Sequence, residues 1–320
     1  PSHLFADASQ THGRYDWVQW ESTVSAPLGL QVIGQGKLIR QWQADQRQYF
    51  HYQTSQAIRN IGAFALVPWQ PTTWEQDGVP LLIYSPEYNA ATTLTASAMQ
   101  DTLRWFHHNI GRFPGDALRL LMMPELERGS SAYALPQMIL INHRYGLRAQ
   151  ATKDAGFNQI YRRTVHETAH QWFGHGIGNG VTEDGAFLVE SLVKYVELVL
   201  LEKKYGKAAM QALVEVEEER FRYAQARSRA LNKGLVDADE SHDLYSRATL
   251  VFARLRQELG DEVICQALRT VWEQHRYPRS PATSMDFVRA LLVQSPAKHH
   301  AMIRHLLLDA DITAFLLKEG

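Results

Sequence analysis

The sequence has a single cysteine, Cys265, among 320 residues. One thiol excludes an internal disulfide framework and any zinc site built on several thiolates. Its place in the run Val263–Val271 reads as a small buried helix residue. Charge of one sign is also missing: 33 Lys and Arg stand against 34 Asp and Glu, a net of −1. Without a basic excess the chain lacks the electrostatic footprint of a nucleic-acid binder. Nor is there an uninterrupted apolar run of about 20 residues, the length a membrane-spanning helix needs. The longest candidate, Ala186 to Leu201, carries Glu190, Lys194 and Glu197, so this segment is itself expected to be soluble. No internal repeat or low-complexity tract is evident, and no signal-peptide pattern follows Pro1. A start at proline fits a domain excised from a longer protein. What remains is an ordinary globular balance, 45% hydrophobic and 21% charged, over a length that holds roughly two domains.

The hydrophobic pattern changes along the chain. Up to about Gln76 it is rich in Gln, Trp, Tyr and turn residues. Alternation in Leu30-Gln31-Val32-Ile33 and Tyr49-Phe50-His51-Tyr52, with Gly34-Gln35-Gly36 as a hairpin turn, predicts a β-rich module over residues 1–78. Pro68 to Gly78 reads as a connection. Strands are then expected at Leu81–Ser85, Arg119–Met123 and Gln137–Asn142, with a helix from about Ala90 to Asn109 between the first two. From Asn158 onward only helices are expected, and the mixed charges of 202–230 read as a solvated helix face. Strands followed by helices give an α+β fold, with the second domain over residues 79–320.

Inside that helical part lies His166-Glu167-Thr168-Ala169-His170. Residues four apart on an α-helix differ by about 40° around the axis, so the two imidazoles project from one face and can reach one Zn²⁺. Glu167 sits beside them, placed to take a proton from a metal-bound water. The run Phe157 to Val165 has no Pro or Gly and reads as the helix that carries the motif. Gly174, Gly176, Gly178 and Gly180 then end it. A second helix from about Ala186 is almost wholly apolar yet contains Glu190, and a buried carboxylate needs a partner. A metal is one candidate; Lys194, one turn on, is the other. The longer H-E-x-x-H-x-x-G-x-x-H pattern fails, because Phe173 and Gly176 stand where it needs Gly and His. His175, five places from His170 and after a helix-breaking glycine, falls off the ligand face. It is placed around the site rather than in the ligand set.

His166-Glu167-Thr168-Ala169-His170-Gln171-Trp172-Phe173-Gly174 resembles the H-E-x-x-H-x-W-x-G signature of the alanyl-aminopeptidase family of gluzincins, which includes aminopeptidase N and leukotriene hydrolase. Val189-Glu190-Ser191-Leu192-Val193-Lys194-Tyr195-Val196-Glu197 resembles that family's N-E-G-x-x-x-Y-x-E segment, which implies Glu190 as third ligand. Glu197, two turns further on, is then either a partner for a ligating histidine or a plain surface carboxylate. Tyr245-Ser246-Arg247-Ala248-Thr249-Leu250-Val251-Phe252 is similar to the Y-x-K-G-x-x-V-L segment, whose tyrosine donates a hydrogen bond to the tetrahedral intermediate; Tyr245 is the candidate. Leu259-Gly260-Asp261-Glu262 fits a family helix junction. The segments Leu28–Leu38 and Trp105–Pro114 resemble the end of the family's N-terminal sheet and its first catalytic helix. The resemblance implies a thermolysin-like zinc metallopeptidase catalytic domain behind a truncated β module, with a helical C-terminal part and one Zn²⁺ per chain. It also implies hydrolysis of peptide substrates through a zinc-activated water.

Two departures qualify this. Glu190 lies twenty positions after His170, one more than the family's usual spacing, an excess expected in the glycine-rich loop 174–185. The exopeptidase segment G-x-M-E-N is missing: Ser131-Ala132-Tyr133-Ala134-Leu135 stands in its place, so Ala132, Tyr133 and Ala134 are the expected substrate-binding residues. Ala134 occupies the position of the glutamate that recognises the substrate's free α-amine, which removes that charge-assisted partner. Both departures are similar to a bacterial branch in which this domain is fused to an ABC-type membrane permease. That branch keeps a histidine where His175 stands. It implies attachment to a permease, membrane association and an extracytoplasmic location. The rival expectation is a non-catalytic zinc- or peptide-binding module attached to a membrane transporter.

Overall fold

The computed structural model describes residues 17–123, 132–142, 157–177, 186–227, 233–312 and 316. The N-terminal part is β throughout: β1 (Trp17–Val18), β2 (Glu21–Pro27), β3 (Gln31–Gly34), β4 (Lys37–Ala44), β5 (Arg47–Gln53), β6 (Ile58–Arg59) and β7 (Phe64–Val67). The order β2-β5-β4 makes a three-stranded antiparallel sheet; β1 pairs with β6 and β3 with β7. Alternation works as expected in β5, where Gln48, Phe50 and Tyr52 point inward, and Phe50 and Tyr52 pack with Ala26 and Val32. Gly34-Gln35-Gly36 is not a hairpin turn, because β3 pairs with β7 rather than β4. The hairpin is β4–β5, turning at Asp45-Gln46 with φ of 50° and 56°. Two consecutive left-handed residues suit the twist of a tight hairpin, and Asp tolerates that region better than most.

Next come β8 (Thr72–Gln76), β9 (Val79–Tyr84), α1 (Ala90–Asn109), β10 (Leu118–Met123), β11 (Ala132–Leu135) and β12 (Met138–Asn142). They form one five-stranded sheet in the order β11-β12-β10-β9-β8. Pro68–Gly78 is therefore not a plain connection: β8 lies within it, so the expected division at residue 78 falls inside the β8–β9 hairpin. β9, β10 and β12 run parallel, and β11 is an antiparallel edge strand. α1 starts at Asn89, whose side chain accepts from the Ala91 and Thr92 amides, and it buries Met99, Leu103 and Phe106 in the main core.

The remainder is helical: α2 (Gln159–Ala169), a π-turn (Phe187–Ser191) leading into α3 (Leu192–Tyr205), then α4 (Lys207–Arg227). A second π-turn (His242–Arg247) leads into α5 (Ala248–Leu259), and α6 (Asp261–His275), α7 (Ser284–Gln294) and α8 (His300–Leu308) follow. This is the expected α+β arrangement. Cys265 is buried on α6, with its sulfur 3.3 Å from the Tyr195 hydroxyl.

Hydrogen bonds tie the β region to the part that carries the motif, among them three made by buried side chains. Gln35 Nε2 donates to Pro136 O at 2.8 Å, Arg119 donates to Gly36 O at 2.8 Å, and Arg59 donates to Gly174 O at 2.6 Å. The Gly36 approach requires glycine: its φ is +86°, and a Cβ there would meet Gln53 O at 2.5 Å. The tail of the motif is structural. Trp172 stacks on Phe106 with ring centroids 4.2 Å apart and donates to Gly111 O at 3.0 Å, which fixes α2 against α1. Truncating such a fully buried aromatic costs about 3–5 kcal/mol.

Candidate metal centre

α2 begins at Asn158, whose side chain accepts from Tyr161 N–H at 2.9 Å, and it buries the whole of Thr164–Ala169. His166 and His170 emerge from one face as expected, their rings 4.7 Å apart. Glu190 meets them from the first π-turn: its Oε2 lies 3.2 Å from His166 Nε2 and 3.6 Å from His170 Nε2. The three ligand atoms lie within 4.8 Å of one another. An ion about 2.0–2.1 Å from each of three tetrahedral ligands sets them about 3.3 Å apart, so the spacing fits Zn²⁺.

The tautomers fit as well. His166 Nδ1–H donates to Glu197 Oε1 at 2.6 Å, and His170 Nδ1–H donates to Phe173 O at 3.2 Å. Both bonds leave Nε2 with its lone pair toward the common point, the arrangement a metal-binding imidazole needs. Burial alone would lift the Glu190 carboxyl, but His170, His166 and the Tyr245 hydroxyl hold it down at about 2. Burial would likewise lower His166, yet Glu190 and Glu197 raise it to about 9. The cluster is a well that seeks positive charge.

Lys194 does not pair with Glu190. Its Nζ lies 2.7 Å from Glu197 Oε2, and both residues are buried. Glu197 is therefore no surface carboxylate: it receives Lys194, Arg162 at 3.0 Å and His166 together. Against the cost of burial, Lys194 and Arg162 hold its carboxyl well below the usual range. Glu217 departs from the solvated face expected of α4. It is buried, accepts from Ser246 Oγ at 2.7 Å and pairs with Arg220 at 2.9 Å.

Tyr245 sits on the second π-turn, with its ring 5.9 Å from that of His166. Burial and the neighbouring Glu190 carboxylate keep its phenol protonated, so it is a donor. Each π-turn closes an i→i+5 bond, from Leu192 N–H to Phe187 O and from Ala248 N–H to Asp243 O. Ser191 Oγ donates to Leu244 O at 3.0 Å, joining one turn to the other. The extra residue between His170 and Glu190 was expected in the glycine-rich loop. Residues 178–185 lie outside the described residues, and a π-turn, which closes over one residue more than an α-turn, stands at Glu190 itself.

A cavity of about 550 Å³ brings Glu167, Tyr245 and His166 together with Ala132 of β11. Ala134 lies two residues on, so it shares a face of the strand with Ala132, while Tyr133 points the other way and is exposed. His175 donates its backbone N–H to His170 O at 3.0 Å, but its side chain makes no hydrogen bond to the three candidate ligands. Its Nε2–H donates to Ala134 O at 2.9 Å, supporting the edge strand instead.

The sequence profile of the peptidase family M1 domain matches residues 95–307, two thirds of the chain. The chain belongs to peptidase family M1. M1 membership makes it a zinc metallopeptidase, an aminopeptidase-like hydrolase. No curated protein matches it in sequence. Among solved structures it is similar to the M1 zinc metallopeptidase from Deinococcus radiodurans, with 16% identity and a TM-score of 0.70, over 96% of this chain and 67% of that one. A mutant of that protein bound to a Tyr-Ser-Ala substrate matches with the same identity and TM-score, over 95% and 67%. A two-domain M1 zinc metallopeptidase mutant bound to L-tryptophan matches with a TM-score of 0.68 and 16% identity, over 95% and 67%. At that identity the likeness establishes the M1 fold. No described helix is long and apolar enough to cross a membrane.

Proposed function

We propose that this M1 chain hydrolyses peptide bonds at a zinc ion held by His166, His170 and Glu190. The observation that carries the reading is the convergence of two Nε2 atoms and a carboxylate beside a cavity that Glu167 and Tyr245 also line. Zinc, when bound there, supplies a Lewis acid that lowers the pKa of water toward about 7 and polarises a carbonyl. Glu167 takes the proton of the attacking water and hands it to the leaving amine. The protonated Tyr245 hydroxyl donates to the oxygen on which charge develops. Glu197 holds His166 in the ligating tautomer. β11 is an edge strand beside the same cavity, so an extended peptide can add to it as a further strand, with Ala132, Tyr133 and Ala134 as its neighbours. The substrate peptide of the Deinococcus relative supports this substrate class.

The substrate is read as atypical for an aminopeptidase. The β11 face presents Ala132 and Ala134, and neither offers a carboxylate to a free α-amine. Blocked or internal peptide segments lose nothing by that absence. Glu167→Gln tests the hydrolytic reading: zinc content should stay at one per chain while turnover falls by about 10²–10⁴. Wild-type turnover in that variant sinks it. The second reading, a zinc- or peptide-binding module without catalysis, is favoured if the wild-type protein binds one zinc and cleaves neither free-amine nor blocked peptides. The missing amine-binding glutamate and the late Glu190 also support placement in the permease-fused branch, with membrane attachment and an extracytoplasmic site. The full reading frame around this segment decides that point.

A further inference from the structure

Glu217 is the acid of α4 that the fold takes inside. It is 2% exposed, while Glu215 and Glu219 on either side of it are exposed. A buried carboxylate is costly unless it is paired and hydrogen-bonded, and both of its oxygens are engaged. Oε2 accepts from Ser246 Oγ–H at 2.7 Å, and Oε1 accepts from Arg220 Nη1 at 2.9 Å. Lys194 Nζ stands 4.0 Å from the same Oε1 and donates to Glu197 Oε2 at 2.7 Å. Lys194 is thus set between two buried carboxylates. One of them, Glu197, holds His166 by its Nδ1–H. The other holds the π-turn that carries Tyr245. Glu217, Lys194, Arg220 and Ser246 all line the cavity that Glu167 and Tyr245 share.

A π-turn is a rare winding of the chain, and its shape depends on what packs against it. Three consecutive residues of the second π-turn are held by side-chain hydrogen bonds. Leu244 O accepts from Ser191 Oγ at 3.0 Å, Tyr245 O accepts from Thr249 Oγ1 at 2.8 Å, and Ser246 Oγ donates to Glu217. The first bond comes from the turn that carries Glu190, and the second from α5 itself. Of the three, only the last reaches α4 and ends on an ion. A hydrogen bond to a carboxylate is roughly twice as strong as a neutral one. Without it the turn is free to unwind toward ordinary α-helix. That rotates Tyr245 about the helix axis and carries its hydroxyl away from Glu190. Misplacing a reacting group by about 1 Å can cost about 10²-fold in rate.

Among the described residues, Glu217 makes no hydrogen bond or ion pair with His166, His170, Glu190 or Glu167. Whatever it does for the chemistry is done through Ser246 and Lys194. We propose that Glu217 is a positioning residue: through Ser246 it fixes the π-turn that aims the Tyr245 hydroxyl at the metal centre. Lys194 gives Glu217 and Glu197 a shared counter-charge, so the aim of Tyr245 and the tautomer of His166 are set against one buried cation. What Tyr245 does at the metal rests on the proposed function; what holds Tyr245 in place does not.

The test places meta-fluorotyrosine at position 245 of the zinc-loaded full chain and records its fluorine NMR spectrum. The wild-type background should give one narrow resonance. Ser246→Ala removes only the hydroxyl and Glu217→Gln only the charge; each should shift or broaden that resonance at unchanged zinc content. Steady-state kinetics on the unlabelled proteins supplies the second readout. Each variant should lower kcat by about 10-fold with KM little changed. In a Tyr245→Phe background the same changes should cost kcat almost nothing more, because the donor they aim is gone. A merely structural role would lower the melting temperature without this dependence on Tyr245. A resonance that neither variant moves overturns the proposal. So does a kcat loss that is as large without the Tyr245 hydroxyl as with it. If the wild-type protein cleaves no peptide while the resonance still moves, the hydrolytic reading falls and the hold on Tyr245 stands.

Discussion

The two walls of the metal cleft are built in opposite ways. On one side, α2, the two π-turns and α3 hold a dense set of charged and polar groups, many of them tied to one another: Glu197 alone receives His166, Lys194 and Arg162. On the other side, the edge strand β11 presents Ala132 and Ala134, and its Ala134 carbonyl is taken by His175. The first wall is over-determined. Buried ions demand partners, and each partner fixes the next, so the groups that perform chemistry sit in one geometry. Among the described residues the second wall is small and nearly featureless, and under the proposed function it offers the end of a substrate no fixed charge. The proposed function thus assigns chemistry and substrate choice to separate elements, and a change on one wall should leave the other's property alone.

Changes on the charged wall should lower the rate toward every peptide alike. Tyr245→Phe keeps the ring and removes the donor; kcat should fall by about 10²–10³ with zinc content and KM little changed, read by steady-state kinetics and metal analysis. A fall confined to KM would place the hydroxyl in substrate binding instead. Glu197→Gln should weaken zinc by about 10–100-fold in a chelator competition. It should also lower thermal stability, because the buried Lys194 and the half-buried Arg162 lose their carboxylate. Unchanged zinc affinity there would show that Glu197 does not hold His166. On the other wall, Ala134→Glu should shift the ratio of kcat/KM for free-amine over N-acetylated peptides by roughly 10-fold toward the free amine, the worth of one charge-assisted hydrogen bond. If that variant changes both substrates equally, the walls are not independent.

Much of the first wall was legible in the sequence because it follows α-helical spacing. His166 and His170 are a turn apart on a regular helix, and the apolar run around Glu190 announced a carboxylate in need of a partner, though Glu190 is half-buried rather than buried. The resemblance supplied Tyr245. The π-turns were not legible: nothing in Phe187–Ser191 or His242–Arg247 signals an i→i+5 bond, which depends on what the turns pack against. Ser191 and Ser246 were invisible as connectors for the same reason. Glu217 looked like one of several solvated acids on α4, and only the folded chain reveals Lys194 and Ser246 beneath it. In the N-terminal part the alternation identified strands but not their partners. Ile33 is as apolar whether β3 meets β4 or β7, and Gly34-Gln35-Gly36 looks like a hairpin turn until Gln35 is seen reaching across to Pro136. β8 was hidden by the Pro and Gly residues around it, although Thr72–Gln76 alternates in burial as an edge strand should.

The central claim is that this M1 site has its hydrolytic machinery and lacks the anchor for a free amine. A matched pair of peptides, one with a free N terminus and one N-acetylated, assayed with the wild-type protein before and after chelation, tests it most directly. The account predicts cleavage of both at kcat/KM values within about 10-fold of each other, abolished by the chelator and restored by zinc. Cleavage of the free-amine peptide alone, or of neither peptide with zinc bound, contradicts it.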